Sequence, residues 1–125
     1  MLESATAYAT LPAIDMARAT QFYTETVGAV PGASREGGSF FTLGNCAFMI
    51  YPTPNPKRGG HTQMTLRVRD ARASVAELRS HGVIFEEYDL PGLKTVEGIA
   101  DTGGASAAWF KDTEGNTIGV LQLSS

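Results

Sequence analysis

The sequence predicts an α+β fold built from two βαβββ modules in tandem, and three observations carry that prediction. A helix-capping aspartate, an amphipathic helix, a closing glycine and a late Gly-Asn turn occur twice in the same order. The caps Asp15 and Asp70 stand 55 residues apart and the turns Gly44-Asn45 and Gly115-Asn116 stand 71 apart, a difference absorbed by one insert, Tyr88–Gly104. The chain has 125 residues, 42% of them hydrophobic and 18% charged, which suits one globular domain spanning 1–125 that needs no disulfide or metal to fold.

The first module, residues 5–52, opens with a strand over Ala5–Ala13. Asp15 caps a helix whose Met16, Ala19, Phe22, Tyr23 and Val27 recur at helical spacing. Gly28 stands where a left-handed C-terminal cap is wanted. After a turn-rich stretch, Ser39–Leu43 and Cys46–Tyr51 read as strands joined at Gly44-Asn45. Residues 53–60, rich in proline and glycine and carrying the Lys57-Arg58 charge pair, read as a linker.

The second module, 61–123, repeats the plan. Gln63–Val68 is a strand, and Asp70 caps a helix with Ala71, Val75 and Leu78 on one stripe, closed at Gly82. Val83–Glu87, Ala105–Phe110 and Thr117–Leu123 read as strands, the last entered through Gly115-Asn116. The insert is long for a connection in a compact domain. Its Leu90, Leu93, Val96 and Ile99 suit either a hydrophobic flap or packing at a subunit interface.

Charge and composition exclude several classes of partner. A net charge of −3 offers no footprint for nucleic acid. No apolar run reaches the length of a membrane span. Met1–Ala13 has no basic start and carries Glu3, so no signal peptide is expected there. A single cysteine, Cys46, suits a reducing cytoplasm and reads as a small buried hydrophobe.

Three segments resemble the vicinal oxygen chelate superfamily of glyoxalases, bleomycin- and fosfomycin-resistance proteins and extradiol dioxygenases. They are Ala13-Ile-Asp-Met-Ala-Arg-Ala-Thr-Gln-Phe-Tyr23, Val68-Arg-Asp-Ala-Arg-Ala-Ser-Val-Ala-Glu-Leu78 and Trp109-Phe-Lys-Asp-Thr-Glu-Gly-Asn-Thr-Ile118. The resemblance implies curved mixed sheets around a ligand cleft, and commonly a homodimer. Metal-dependent members of the family hold a divalent ion through the first and last strand of each module. Carried onto this chain, those positions are Tyr8, Gln63, Gly119 and Phe48, with a one-residue ambiguity that admits Met49. No Asp or Glu occurs from Gly37 through Arg69 or from Thr117 onward. Hard cations need anionic oxygen or imidazole donors. No metal and no cofactor is therefore expected.

The remaining candidates follow from strand alternation. His61 and Gln63 share a face with Thr65 and Arg67, opposite Met64, Leu66 and Val68. His61 reads as a general base or hydrogen-bond donor, or as a plain surface histidine at the strand mouth. Tyr8 and Thr10 share a face likewise, Tyr8 as a ligand-orienting hydroxyl or acid, or as a barrel-closing ring. Trp109 and Phe110 point oppositely, and the parity of Gly119 sends Trp109 toward ligand, where Phe48 and Met49 add apolar area. His81 reads as a capping-turn residue near the helix dipole's negative end.

The expected function is metal-free binding or sequestration of a small organic molecule through Tyr8, Thr10, Phe48, Met49, His61, Gln63, Trp109 and Gly119. The alternative is a lyase, isomerase or dioxygenase-like enzyme, with an atypical metal site or metal-free acid–base chemistry at His61 or Tyr8.

Overall fold

The computed structural model describes residues 1–57 and 59–124, so Arg58 of the linker lies outside the described residues. The chain divides into two compact units, Met1–Pro56 and Lys57–Ser125. Each holds one four-stranded mixed sheet with a helix against it.

In the first unit the strands are β1 (Ala9–Ala13), β2 (Val30–Arg35), β3 (Gly38–Leu43) and β4 (Cys46–Pro52), in sheet order β1-β4-β3-β2. β1 runs parallel to β4, and the other pairs are antiparallel. Helix α1 (Met16–Gln21) begins where the Asp15 carboxylate accepts from the Arg18 amide at 3.0 Å. Its continuation, Phe22–Val27, widens to a π-helix and ends at Gly28, whose φ of 91° only glycine adopts cheaply. Tyr23, on this last turn, is fully buried and meets Phe48 edge-on at 5.2 Å. Phe48 in turn stacks on Phe41 at 5.5 Å. These rings, with Leu11 and Ile50, form the core between helix and sheet.

The second unit repeats the sheet order as β5-β10-β9-β8, with β5 (Thr62–Arg67) parallel to β10 (Thr117–Leu123). β9 (Ala105–Lys111) and the two-residue β8 (Ala100–Asp101) complete it. Helix α2 (Ala71–Ser80) starts at the Asp70 carboxylate, which accepts from the Ala73 amide at 3.1 Å. His81 caps the other end, its Nδ1 3.0 Å from the Glu77 carbonyl oxygen, as the dipole argument expects. Val75, Phe85, Phe110, Ile118 and Val120 fill the core on this side.

Three expectations need correction. The stretch after Gly28, read as turns, contains the edge strand β2; its side chains are exposed, so no apolar alternation betrayed it. Val83–Glu87 is not a strand: only Phe85 bridges to Phe110, and the Glu86 amide bonds the Trp109 carbonyl oxygen at 2.8 Å. The chain then leaves β9 for a small hairpin of β6 (Asp89–Leu90) and β7 (Leu93–Lys94), and β8 takes over the remaining edge by pairing with Ala107 and Ser106. The insert therefore supplies the fourth strand. Cys46 is exposed rather than buried, because it leaves the Gly44-Asn45 turn in the closing pair with Leu43. Among the described residues no helix is long and apolar enough to cross a membrane.

Candidate functional site

Each sheet has one face under its helix and one free of it, and alternation sorts the candidate residues between them. In the first unit, Ala9, Phe48 and Phe41 form one row across the sheet and Thr10, Met49 and Phe40 the next. Adjacent rows point to opposite faces. Phe48, only 4% exposed, lies under the helix, so it lines the core and not the open face. The one-residue ambiguity resolves to Met49. Tyr8 extends the open face, 42% exposed, with its ring edge-on to Phe40 at 5.3 Å. The Thr10 hydroxyl donates to the Tyr8 carbonyl oxygen at 3.2 Å, which ties the start of β1 to this arrangement. Tyr51 shares the parity of Met49. This surface is aromatic, thioether and hydroxyl, with no charge among these residues.

In the second unit, Thr65, Gly119 and Trp109 form a row on the open face. A side chain at Gly119 would meet Thr62 Cγ2 and Thr65 Oγ1 at 3.3 Å and Trp109 Cδ1 at 3.6 Å, so its bare backbone floors a recess beside the indole. Tyr88 closes the far side, edge-on to Trp109 at 5.6 Å. Its own position is set by the insert, since the Thr95 hydroxyl oxygen accepts from the Tyr88 amide at 2.8 Å. Lys111, on the same face, holds Glu86 at 2.8 Å, and that hydrogen bond raises the ammonium above its ordinary range.

Gln63 is differently engaged. Its amide nitrogen donates to Asn116 Oδ1 at 3.1 Å, and its oxygen accepts from the Thr117 amide at 3.3 Å. Asn116 is itself buried and donates from its side chain to Asp112, whose other carboxylate oxygen takes the amides of Glu114 and Asn116. Gln63 thus clasps β5 to the turn that enters β10. His61 precedes β5 and is exposed; its Nδ1 lies 2.7 Å from where a Gly59 side chain would begin, so the ring folds back over the linker glycine. It has no hydrogen-bond partner among the described residues.

These residues do not fit the family's divalent ion. Tyr8 offers a phenol in place of a carboxylate or imidazole, Met49 offers a soft thioether, Gly119 offers no side chain, and both ends of the Gln63 amide are already bonded. Among the described residues no three His, Cys, Asp or Glu side chains gather into a metal-holding group. A separate groove of about 360 Å³ lies between α2 and the Val96–Ile99 turn, on the helix side. Its arginines are occupied: Arg72 pairs with Asp101 at 2.8 Å, and Arg79 donates to the Glu97 carbonyl oxygen at 2.9 Å.

Two site residues escape the sequence reading. Phe40 was legible in principle, since it must face opposite Phe41. Tyr88 was not, because its approach to Trp109 depends on how the insert leaves β9.

The doubled sheet order and the helix-free faces agree with what a family model finds across residues 6–120, that of the glyoxalase/bleomycin resistance protein/dioxygenase superfamily. The chain belongs to that superfamily. Among solved structures, a glyoxalase/bleomycin resistance protein from Streptomyces sp. CB03234 is 27% identical, with TM-score 0.65 over 90% of this chain and 96% of that one. TnmS3, an antibiotic binding protein from the same organism, is 24% identical, with TM-score 0.68 over 95% and 97%. The fosfomycin resistance protein FosX from Listeria monocytogenes is 13% identical, with TM-score 0.71 over 94% and 89%. Among curated protein sequences none matches this chain.

Proposed function

We propose that this superfamily member binds a small organic molecule on the open faces of its sheets, without a metal ion, and that it sequesters the ligand rather than transforming it. The observation that carries the reading is the composition of those faces. Tyr8, Thr10, Phe40 and Met49 on one sheet, and Trp109 with Tyr88 on the other, offer flat apolar area edged by a few hydroxyls. Such surfaces bind by burying ligand carbon, with polar groups fixing orientation. The similarity to an antibiotic binding protein supports the same use here.

Acid–base catalysis finds less support. Among the described residues His61 and Tyr8 have no partner that would orient or activate them: His61 folds over Gly59, and the Tyr8 ring rests against Phe40. The Gln63 amide holds the turn before β10, which favours a positioning role over ligand contact.

Isothermal titration with a panel of planar aromatic and glycopeptide-like compounds tests the reading, alongside quenching of the sole tryptophan, Trp109. Binding of at least one class, lost about tenfold or more in Trp109→Ala, is expected. Failure of every class to bind refutes it. A stoichiometric metal in protein purified without a histidine tag, removed by His61→Ala, would instead favour the lyase or dioxygenase alternative.

A further inference from the structure

The open face of the second sheet is electrically uneven. Strand parity places two cations on it, Arg67 near the end of β5 and Lys111 at the end of β9, and one anion, Glu86. Lys111 is neutralised by Glu86 and also reaches the Thr117 hydroxyl at 3.4 Å. Arg67 has no carboxylate partner among the described residues. The two strands nearest it, β5 and β10, contain no acidic residue. The arginines on α2 contrast with it, because both are engaged.

The neighbours of Arg67 are apolar. Its row across the sheet continues through Leu121 and Ala107, both half-buried, and the adjacent row on the same face is Thr65, Gly119 and Trp109. From sheet spacing, Arg67 and Trp109 stand about 12 Å apart at Cα, two strands across and two residues along. The interval is floored by Gly119, where a Cβ would fill the recess. An indole, a bare floor and an uncompensated guanidinium in this sequence match a flat ring system ending in an acid.

We infer, resting on the binding reading above, that this face selects an anionic planar ligand, with its rings against Trp109 over Gly119 and its carboxylate, sulfonate or phenolate on Arg67. A guanidinium gives an oxyanion two parallel hydrogen bonds, and charge-assisted bonds are roughly twice as strong as neutral ones. Arg67 is therefore a specificity residue, and Trp109 the contact that any flat ligand shares.

Two fluorescent probes of similar shape separate these roles: anilinonaphthalene sulfonate, which is anionic, and N-phenylnaphthylamine, which is neutral. Both are expected to quench Trp109, the sulfonate binding about tenfold more tightly at low salt. R67Q should remove that tenfold advantage and leave the neutral probe unchanged, which also reports that the variant is folded. R67K should recover part of it. If both probes bind equally, or if R67Q weakens neither, anion selection is overturned while the binding reading stands. If neither probe binds or quenches Trp109, the binding reading fails and this inference with it.

Discussion

In the first module the Gly44-Asn45 turn is exposed, and the sheet is held to its helix by rings: Tyr23, Phe41 and Phe48. In the second, the equivalent Gly115-Asn116 turn is sunk into a polar network of Asp112, Asn116, Thr117 and Gln63, with Asn116 only 1% exposed. The sheet order is identical. The same plan thus carries two kinds of contact. Rings hold the first helix to its sheet by area without direction, whereas the buried amides of the second module fix a turn by direction and must all be satisfied. The open faces differ in parallel: in the first module the residues around Tyr8, Phe40 and Met49 are uncharged and Arg35 lies at the far edge strand, whereas the second carries Arg67, Lys111 and Glu86.

The sharpest way to break this comparison is to empty the ring cluster. Phe48→Ala should cost about 3–5 kcal/mol in urea unfolding, while Met49→Ala one position on should cost about 1 kcal/mol or less. Equal costs would mean that the two faces had been assigned wrongly. Next comes the buried turn. Asn116→Ala removes the donor to one Asp112 carboxylate oxygen and the acceptor of the Gln63 amide nitrogen and should cost about 2–3 kcal/mol, against about 0.5 kcal/mol for Asn45→Ala. Thermal denaturation of the pair reads the difference directly.

The helix caps should show no such asymmetry. Asp15→Ala and Asp70→Ala each remove one carboxylate-to-amide bond and should each cost about 1 kcal/mol. The smallest effect is one of pH and belongs to the insert alone. The Thr95 hydroxyl, and then the Gly98 amide, hold the Glu87 carboxyl below its usual range. Because that group is depressed in the fold, its contribution is complete above the unfolded-chain pKa and fades as pH falls through the folded value. Protection of the amides at 95–98, measured against their intrinsic exchange rates, should therefore fall only as pH drops below the ordinary carboxyl range, with Glu87→Gln less protected already near neutral pH and the first module unchanged.

Much of this was legible in advance. Asp15, Asp70, Gly28 and Gly82 act locally, through one amide or one backbone angle, and the structure has each where spacing puts it. Trp109 shares its face with Gly119 as parity requires. What was not legible lies where a residue's surroundings depend on distant chain. Gln63, a candidate for ligand contact, bonds residues more than fifty positions away. β2 has no buried side chain to mark it, and Val83–Glu87 lost its strand because the insert competes for the same edge of β9.

Capping, periodicity and turn chemistry are properties of neighbouring residues, so the order of elements, the doubled plan and the scarcity of acidic donors at the family's ligand positions were settled by the sequence alone. Tertiary structure decided which edge each short strand would occupy, that Met49 rather than Phe48 faces outward, that Tyr88 meets Trp109, and that the Gln63 amide is committed to the turn at Asn116. Those outcomes turn on register and on competition for hydrogen bonds between segments far apart in the chain, and only a folded backbone brings such competitors together.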